Sequence, residues 1–148
     1  MDILLKQVRL NDGEELKDVG IEDGKIVAIE KEITKTAKKI IEAEGRVLVP
    51  GFVESHIHLD KALIASRKPN KSGTLQEAIK VTAELKPTFS KEDIYERAKQ
   101  ALEMIIPRGV TAIRTHSEFD PAQGFTGFET ILQLKEEYKN LVDIQVVA

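Results

Sequence analysis

Short apolar runs broken by charged turns fill the first fifty residues. Ile3–Leu10 is one run, and Lys39–Ala43 and Arg46–Val49 are two more. Between them, Val19–Ile21 and Lys25–Ile29 flank Asp23-Gly24. That dipeptide tolerates the positive φ values of a tight hairpin turn. The pattern predicts a small twisted sheet over residues 1–49 and no chemistry within it.

The rhythm changes at Pro50-Gly51. Phe52–Leu59 is a mostly apolar strand candidate. After a loop through Pro69, Asn70, Ser72 and Gly73, the segment Thr74-Leu75-Gln76-Glu77 has the form of a capping box. Leu75, Ala78, Ile79 and Thr82 follow at helical spacing, and Pro87 closes that helix. Ser90 opens a second helix, with Ile94, Ala98, Ala101, Leu102, Ile105 and Ile106 on one face. Gly109 stands where a left-handed residue would end it, and Pro107 predicts an irregular last turn. Val110–His116 reads as a strand, Phe128–Lys139 as a helix and Leu141–Ala148 as a strand. Strands alternating with helices predict an α/β class with a parallel sheet over residues 50–148. Near-continuous apolar strands further predict that both sheet faces are covered.

Composition narrows the function classes. The 148 residues are 41% hydrophobic and 32% charged, with net charge −3. Lysines and acids alternate along helix faces instead of forming a basic stripe, which argues against a nucleic-acid partner. The N-terminus carries no secretory signature and no apolar run is long enough to span a membrane, so a cytoplasmic protein without a membrane partner is the expectation. With no cysteine in the chain, disulfides and thiolate metal sites are excluded.

Only three histidines are present, and two of them, His56 and His58, lie within GFVESHIHLD. On a strand, alternation puts Glu54, His56, His58 and Asp60 on one face and Val53, Ser55, Ile57 and Leu59 on the other. Imidazoles two residues apart are about 6.6 Å apart along a strand and can lean onto one cation with Zn–N bonds of about 2.0–2.1 Å. A row of ionisable groups on a buried face is costly without partners, and a divalent metal with further ligands would supply them. The plain alternative is two solvated rings on an edge strand.

The stretch Pro50–Asp60 resembles the first barrel strand of the amidohydrolase superfamily, which carries a His-x-His metal pair there. Within it, the chain is similar to the cytosine deaminase group through His56-Ile57-His58-Leu59-Asp60, Ser72-Gly73-Thr74-Leu75, Arg114-Thr115-His116 and Val142–Ala148. The resemblance implies a metal-dependent (β/α)8 TIM barrel preceded by a small β-sandwich. Residues 1–49 would be sandwich, and residues 50–148 the first three β/α units. It implies hydrolytic deamination of a cyclic C–N substrate, a small cyclic amine or amide, by water activated on zinc or iron. His56 and His58 would be metal ligands. Glu54, Asp60, Arg114 and His116 are possible pocket residues or outer contacts, with hydrogen-bonding or structural roles the simpler reading for Glu54, Arg114 and His116, and Lys61 is expected to be solvated.

A complete barrel needs eight strands and about 250 residues. The expectation is therefore an N-terminal portion that binds metal weakly, lacks deaminase activity alone and self-associates through its last strand. The competing readings are a non-catalytic module completed by another chain, or a triazine-type or other cyclic amidohydrolase. Thiolate-based nucleoside deaminases and His-Glu-x-x-His proteases are excluded by the absent motifs.

Overall fold

The computed structural model describes residues 1–10 and 13–148. They form two compact units, Met1–Pro50 and Gly51–Ala148.

In the first unit, β1 (Ile3–Leu10), β2 (Leu16–Glu22), β3 (Lys25–Glu30), β4 (Lys39–Glu42) and β5 (Val47–Leu48) make one mixed sheet. The strands run in the order β3-β2-β1-β4, and β5 also pairs with β1. Asp23 and Gly24 both have positive φ, 51° and 71°, and Glu22 pairs with Lys25 across them. This is the tight hairpin the dipeptide predicts. The pairings of β1 with β4 and β5 are parallel. Val8, Val19 and Ala43 form the buried cluster of this unit.

The second unit has the α/β class the alternation predicts. Strands β6 (Phe52–Ile57), β7 (Val110–His116) and β8 (Asp143–Val147) are parallel, in the order β6-β7-β8. Helices α1 (Leu75–Leu85) and α2 (Lys91–Ile105) connect β6 to β7, and α3 (Thr126–Tyr138) connects β7 to β8. The Thr74 hydroxyl accepts from the Glu77 amide and the Ser90 hydroxyl from the Asp93 amide, so each side chain satisfies one orphan donor of its helix. Pro107 lies in a 3-10 turn, Ile106–Arg108, that ends at Gly109 with φ 92°, in the left-handed region where a Cβ is strained. The core joins Leu59, Ala98, Leu102, Ile113, Ile131, Leu134 and Ile144.

Two expectations need correction. Strand β6 ends at Ile57, and Leu59–Lys61 turns immediately into a 3-10 helix. The face of Val53, Ser55, Ile57 and Leu59 is also not uniformly covered. Val53 is 68% exposed whereas Leu59 is fully buried. The reason is placement: α2 and α3 pack on the turn beyond the strand, where Leu59 joins the core.

Candidate functional site

The C-terminal end of β6 is stitched to the C-terminal end of β7, and the stitching fixes His58. Its Nδ1 lies 3.1 Å from the His116 carbonyl oxygen. A carbonyl only accepts, so Nδ1 carries the proton and Nε2 keeps a free lone pair. One residue on, the Leu59 amide donates to the buried Thr115 hydroxyl at 3.1 Å. The Asp60 carboxylate accepts from the Glu118 amide at 3.3 Å. From the other side, the buried Arg97 guanidinium of α2 donates to the Ala62 carbonyl at 2.7 Å and the Asp60 carbonyl at 3.1 Å. Arg97 is itself held by Asp93 at 3.0 Å and lies over the Phe89 ring at 4.5 Å.

This framework gathers all three histidine rings. The His56 and His58 centroids are 5.2 Å apart with the rings near perpendicular, and His116 lies 4.4 Å from His56 and 5.8 Å from His58. His56 is exposed, while His58 and His116 are half-buried. Burial, then the nearby Lys61 charge, pushes the His58 pKa below its ordinary value. The ring is therefore neutral at neutral pH, the form in which imidazole binds metals.

The other candidates take different parts. Glu54 turns its carboxylate back to accept from the His56 amide at 3.0 Å, steadying the strand. Asp60 is buried, with its backbone and side chain both used as described and its Oδ1 without a partner. Arg114 is exposed and donates to Gln145 on β8 at 2.7 Å. Lys61, expected to be solvated, is only 13% exposed in its side chain and pairs with Glu118. Glu118 also pairs with Lys86, which in turn reaches Asp120 at 2.6 Å. Hydrogen bonds from Lys61 and Lys86 hold the Glu118 carboxyl down at about 2.

Imidazole donors suit zinc and iron alike. His58 fits a cation well, since Nδ1 is anchored and Nε2 is free. Two such donors are half of a tetrahedral set. Among the described residues, no group of three or more His, Asp or Glu side chains is placed to hold a metal ion.

Sequence reasoning missed Arg97 and Thr115. Arg97 had a readable signal: three residues after Ile94 and four before Ala101, it sits on the buried face of α2. Thr115 had none beyond its place between Arg114 and His116.

A sequence model described as the Amidohydrolase family matches residues 39–129. N-isopropylammelide isopropyl amidohydrolase of Pseudomonas sp. (strain ADP) is 32% identical over 99% of this chain and 38% of its own length. Among solved structures, 5-methylcytosine deaminase from Klebsiella pneumoniae liganded with 5-fluorocytosine superimposes with a TM-score of 0.85. It is 34% identical, over 98% of this chain and 36% of that one. N-isopropylammelide isopropylaminohydrolase from Burkholderia multivorans gives 0.82 at 27% identity, over 100% of this chain and 37% of that one. The chain therefore spans less than two fifths of each of these relatives. With more than half of its residues inside the matched segment, and histidines converging where β6 ends, the chain belongs to the amidohydrolase family.

Proposed function

We propose that this chain carries the two-histidine part of a divalent-metal site in a hydrolase that deaminates a small cyclic C–N substrate. One observation carries the reading: His56 and His58 converge at the C-terminal end of a parallel strand, with His58 anchored through Nδ1 and neutral. Active sites of parallel β/α barrels are built at that end of the strands. A cation held there supplies Lewis acidity and makes water a nucleophile near neutral pH.

The chain's own residues do the positioning. His56 and His58 offer the donors. The His116 carbonyl fixes which nitrogen of His58 is free, and Thr115 and Arg97 hold the turn that follows. Relatives named for 5-methylcytosine and N-isopropylammelide support an exocyclic C–N bond on a heteroaromatic ring as the target. Residues 51–148 are proposed as the first three β/α units of a barrel, with remaining ligands and the proton-transfer group supplied from outside them. Zinc and iron are both consistent with imidazole ligation.

The test titrates zinc and ferrous iron into the 15N-histidine-labelled chain while following the ring nitrogens. The expected result is a selective shift of His56 and His58 Nε2 at weak affinity, lost in a His56→Ala, His58→Ala double variant. Ammonia release from cytosine by the 148 residues alone is expected to be undetectable, because two ligands align no nucleophile. Unshifted rings at millimolar metal would refute the reading. Metal-dependent turnover abolished by the double variant would instead refute the claim that the site needs further residues.

A further inference from the structure

Behind the turn that follows His58, three buried oxygens have no hydrogen-bond partner among the described residues: Asp60 Oδ1, Ser117 Oγ and Gln123 Oε1. They converge. Asp60 and Gln123 line one small cavity of about 10 Å³, together with Lys61 and with Gly127 in the first turn of α3. Ser117 borders the same point, since a methyl group built on Gly127 would lie 3.6 Å from its Oγ and 3.3 Å from the Asp60 Cβ. Asp60 and Ser117 are only 9% and 2% exposed. Leaving such groups unsatisfied costs far more than any one hydrogen bond contributes.

The surrounding bonds fix what each group offers. The Gln123 Nε2 donates to the Lys86 and Phe89 carbonyls at 2.5 and 3.2 Å. Carbonyls only accept, so the amide is held with Oε1 as the free acceptor. Asp60 uses Oδ2 on the Glu118 amide at 3.3 Å, which leaves Oδ1. Lys61 pairs with Glu118, and an ammonium has three protons, so it keeps donors to spare. The other charged groups lining the cavity, Lys86, Glu118 and Asp120, are paired with one another.

The geometry points to a binding site for a single internal water that donates to Asp60 Oδ1 and Gln123 Oε1 and accepts from Ser117 Oγ and Lys61 Nζ. The volume suits one molecule, and four polar partners are the full complement a buried water takes. Charge excludes the alternatives: a cation would meet the Lys61 and Lys86 ammonium groups, and an anion the Asp60 and Gln123 oxygens. This water ties the turn after β6 to the loop after β7, two residues beyond His58. It acts as a structural bridge between those segments, and it does not depend on the metal reading above.

The experiment is 17O relaxation dispersion on the 148-residue chain, which reports waters held longer than the molecule tumbles. Because it follows the oxygen, exchanging Ser117 and Lys61 protons cannot mimic the signal. The expected result is a long-lived water in the wild type. Gly127→Ala, which puts a methyl group at this point and suits a helix, is expected to remove about one such water. Ser117→Val, which fills the same point from the end of β7, is expected to do the same. No long-lived water in the wild type, or an undiminished signal in both folded variants, would overturn the proposal. So would a thermal midpoint that rises in potassium chloride over tetramethylammonium chloride at equal ionic strength in the wild type but not in Gly127→Ala, because a cation would then be the occupant.

Discussion

Arg97 is the side chain whose loss should most damage the candidate site, although it is no ligand. Its guanidinium makes hydrogen bonds to the carbonyls of Asp60 and Ala62 and to Asp93, and its face covers Phe89. Burial works to raise the Asp93 pKa, but hydrogen bonds from Arg67 and Arg97 hold it below the usual carboxylate range. Arg97→Met keeps the stem and removes all of this. Charge-assisted hydrogen bonds contribute about 1.5–3 kcal/mol each and are not additive. Removing one partner of a buried pair costs about 3–5 kcal/mol. The expected loss for Arg97→Met is therefore about 3–5 kcal/mol. For Arg97→Lys it is about 2 kcal/mol, since an ammonium keeps the charge but cannot span the two carbonyls and Asp93 at once. Both tyrosines, Tyr95 and Tyr138, lie in the second unit, so tyrosine fluorescence during urea unfolding reports on that unit. With a urea slope of about 2 kcal/mol per molar, the Met variant's midpoint should fall by about 2 M. A fall of under about 0.5 M would show that the turn after His58 holds without the arginine, and the positioning argument would fail.

Two further perturbations test the same framework. Thr115→Val removes the hydroxyl that accepts from the Leu59 amide and leaves a buried N–H unpaired; a loss of about 1–3 kcal/mol in urea unfolding is expected, and an unchanged midpoint would mean the amide finds another partner. Glu118 ionises at about 2 in the folded chain against an ordinary 4.5, so its pairs contribute fully above pH 4.5, and that stability drains away as pH falls towards 2. With its side chain 47% exposed, solvent screening limits the contribution to about 1 kcal/mol. Glu118→Gln should flatten this part of the stability–pH curve, and a variant curve parallel to the wild type below pH 4.5 would assign the acid sensitivity elsewhere.

Local chemistry made much of the fold legible. Asp23-Gly24, Ser90 and Gly109 act through their own backbone or that of residues three positions away, so the turn, the cap and the helix end are written where they occur. The parallel pairing of β1 with β4 and β5 was not legible, because it joins residues some 36 to 38 positions apart without a local signal. The end of β6 was hidden for a related reason. Alternation runs on through Asp60, yet the chain leaves the strand after Ile57. The hydrogen bonds that hold the turn come from Thr115 and Arg97, 56 and 37 residues away. Lys61 looked solvated because its carboxylate partner, Glu118, follows the next strand and approaches only once β6 and β7 are paired.

That dependence says where the candidate site is stored. The His58 imidazole is not placed by β6 alone. His58 is oriented by the carbonyl of His116, and the turn behind it by the side chain of Thr115, both at the end of β7. Thr115 and His116 are adjacent, so their side chains leave opposite faces of the strand. A slip of one residue in the pairing would turn the Thr115 hydroxyl away from the Leu59 amide and offer His58 a different carbonyl. The register that pairs Ile57 with Thr115 is thus the element on which the histidine geometry rests. The buried contacts of Ile113 and Ile144, which lock β7 against β8, guard it from a distance. Packing changes in that core should consequently disturb the convergence of the His56 and His58 rings, and with it the metal binding proposed for them, without touching either ring.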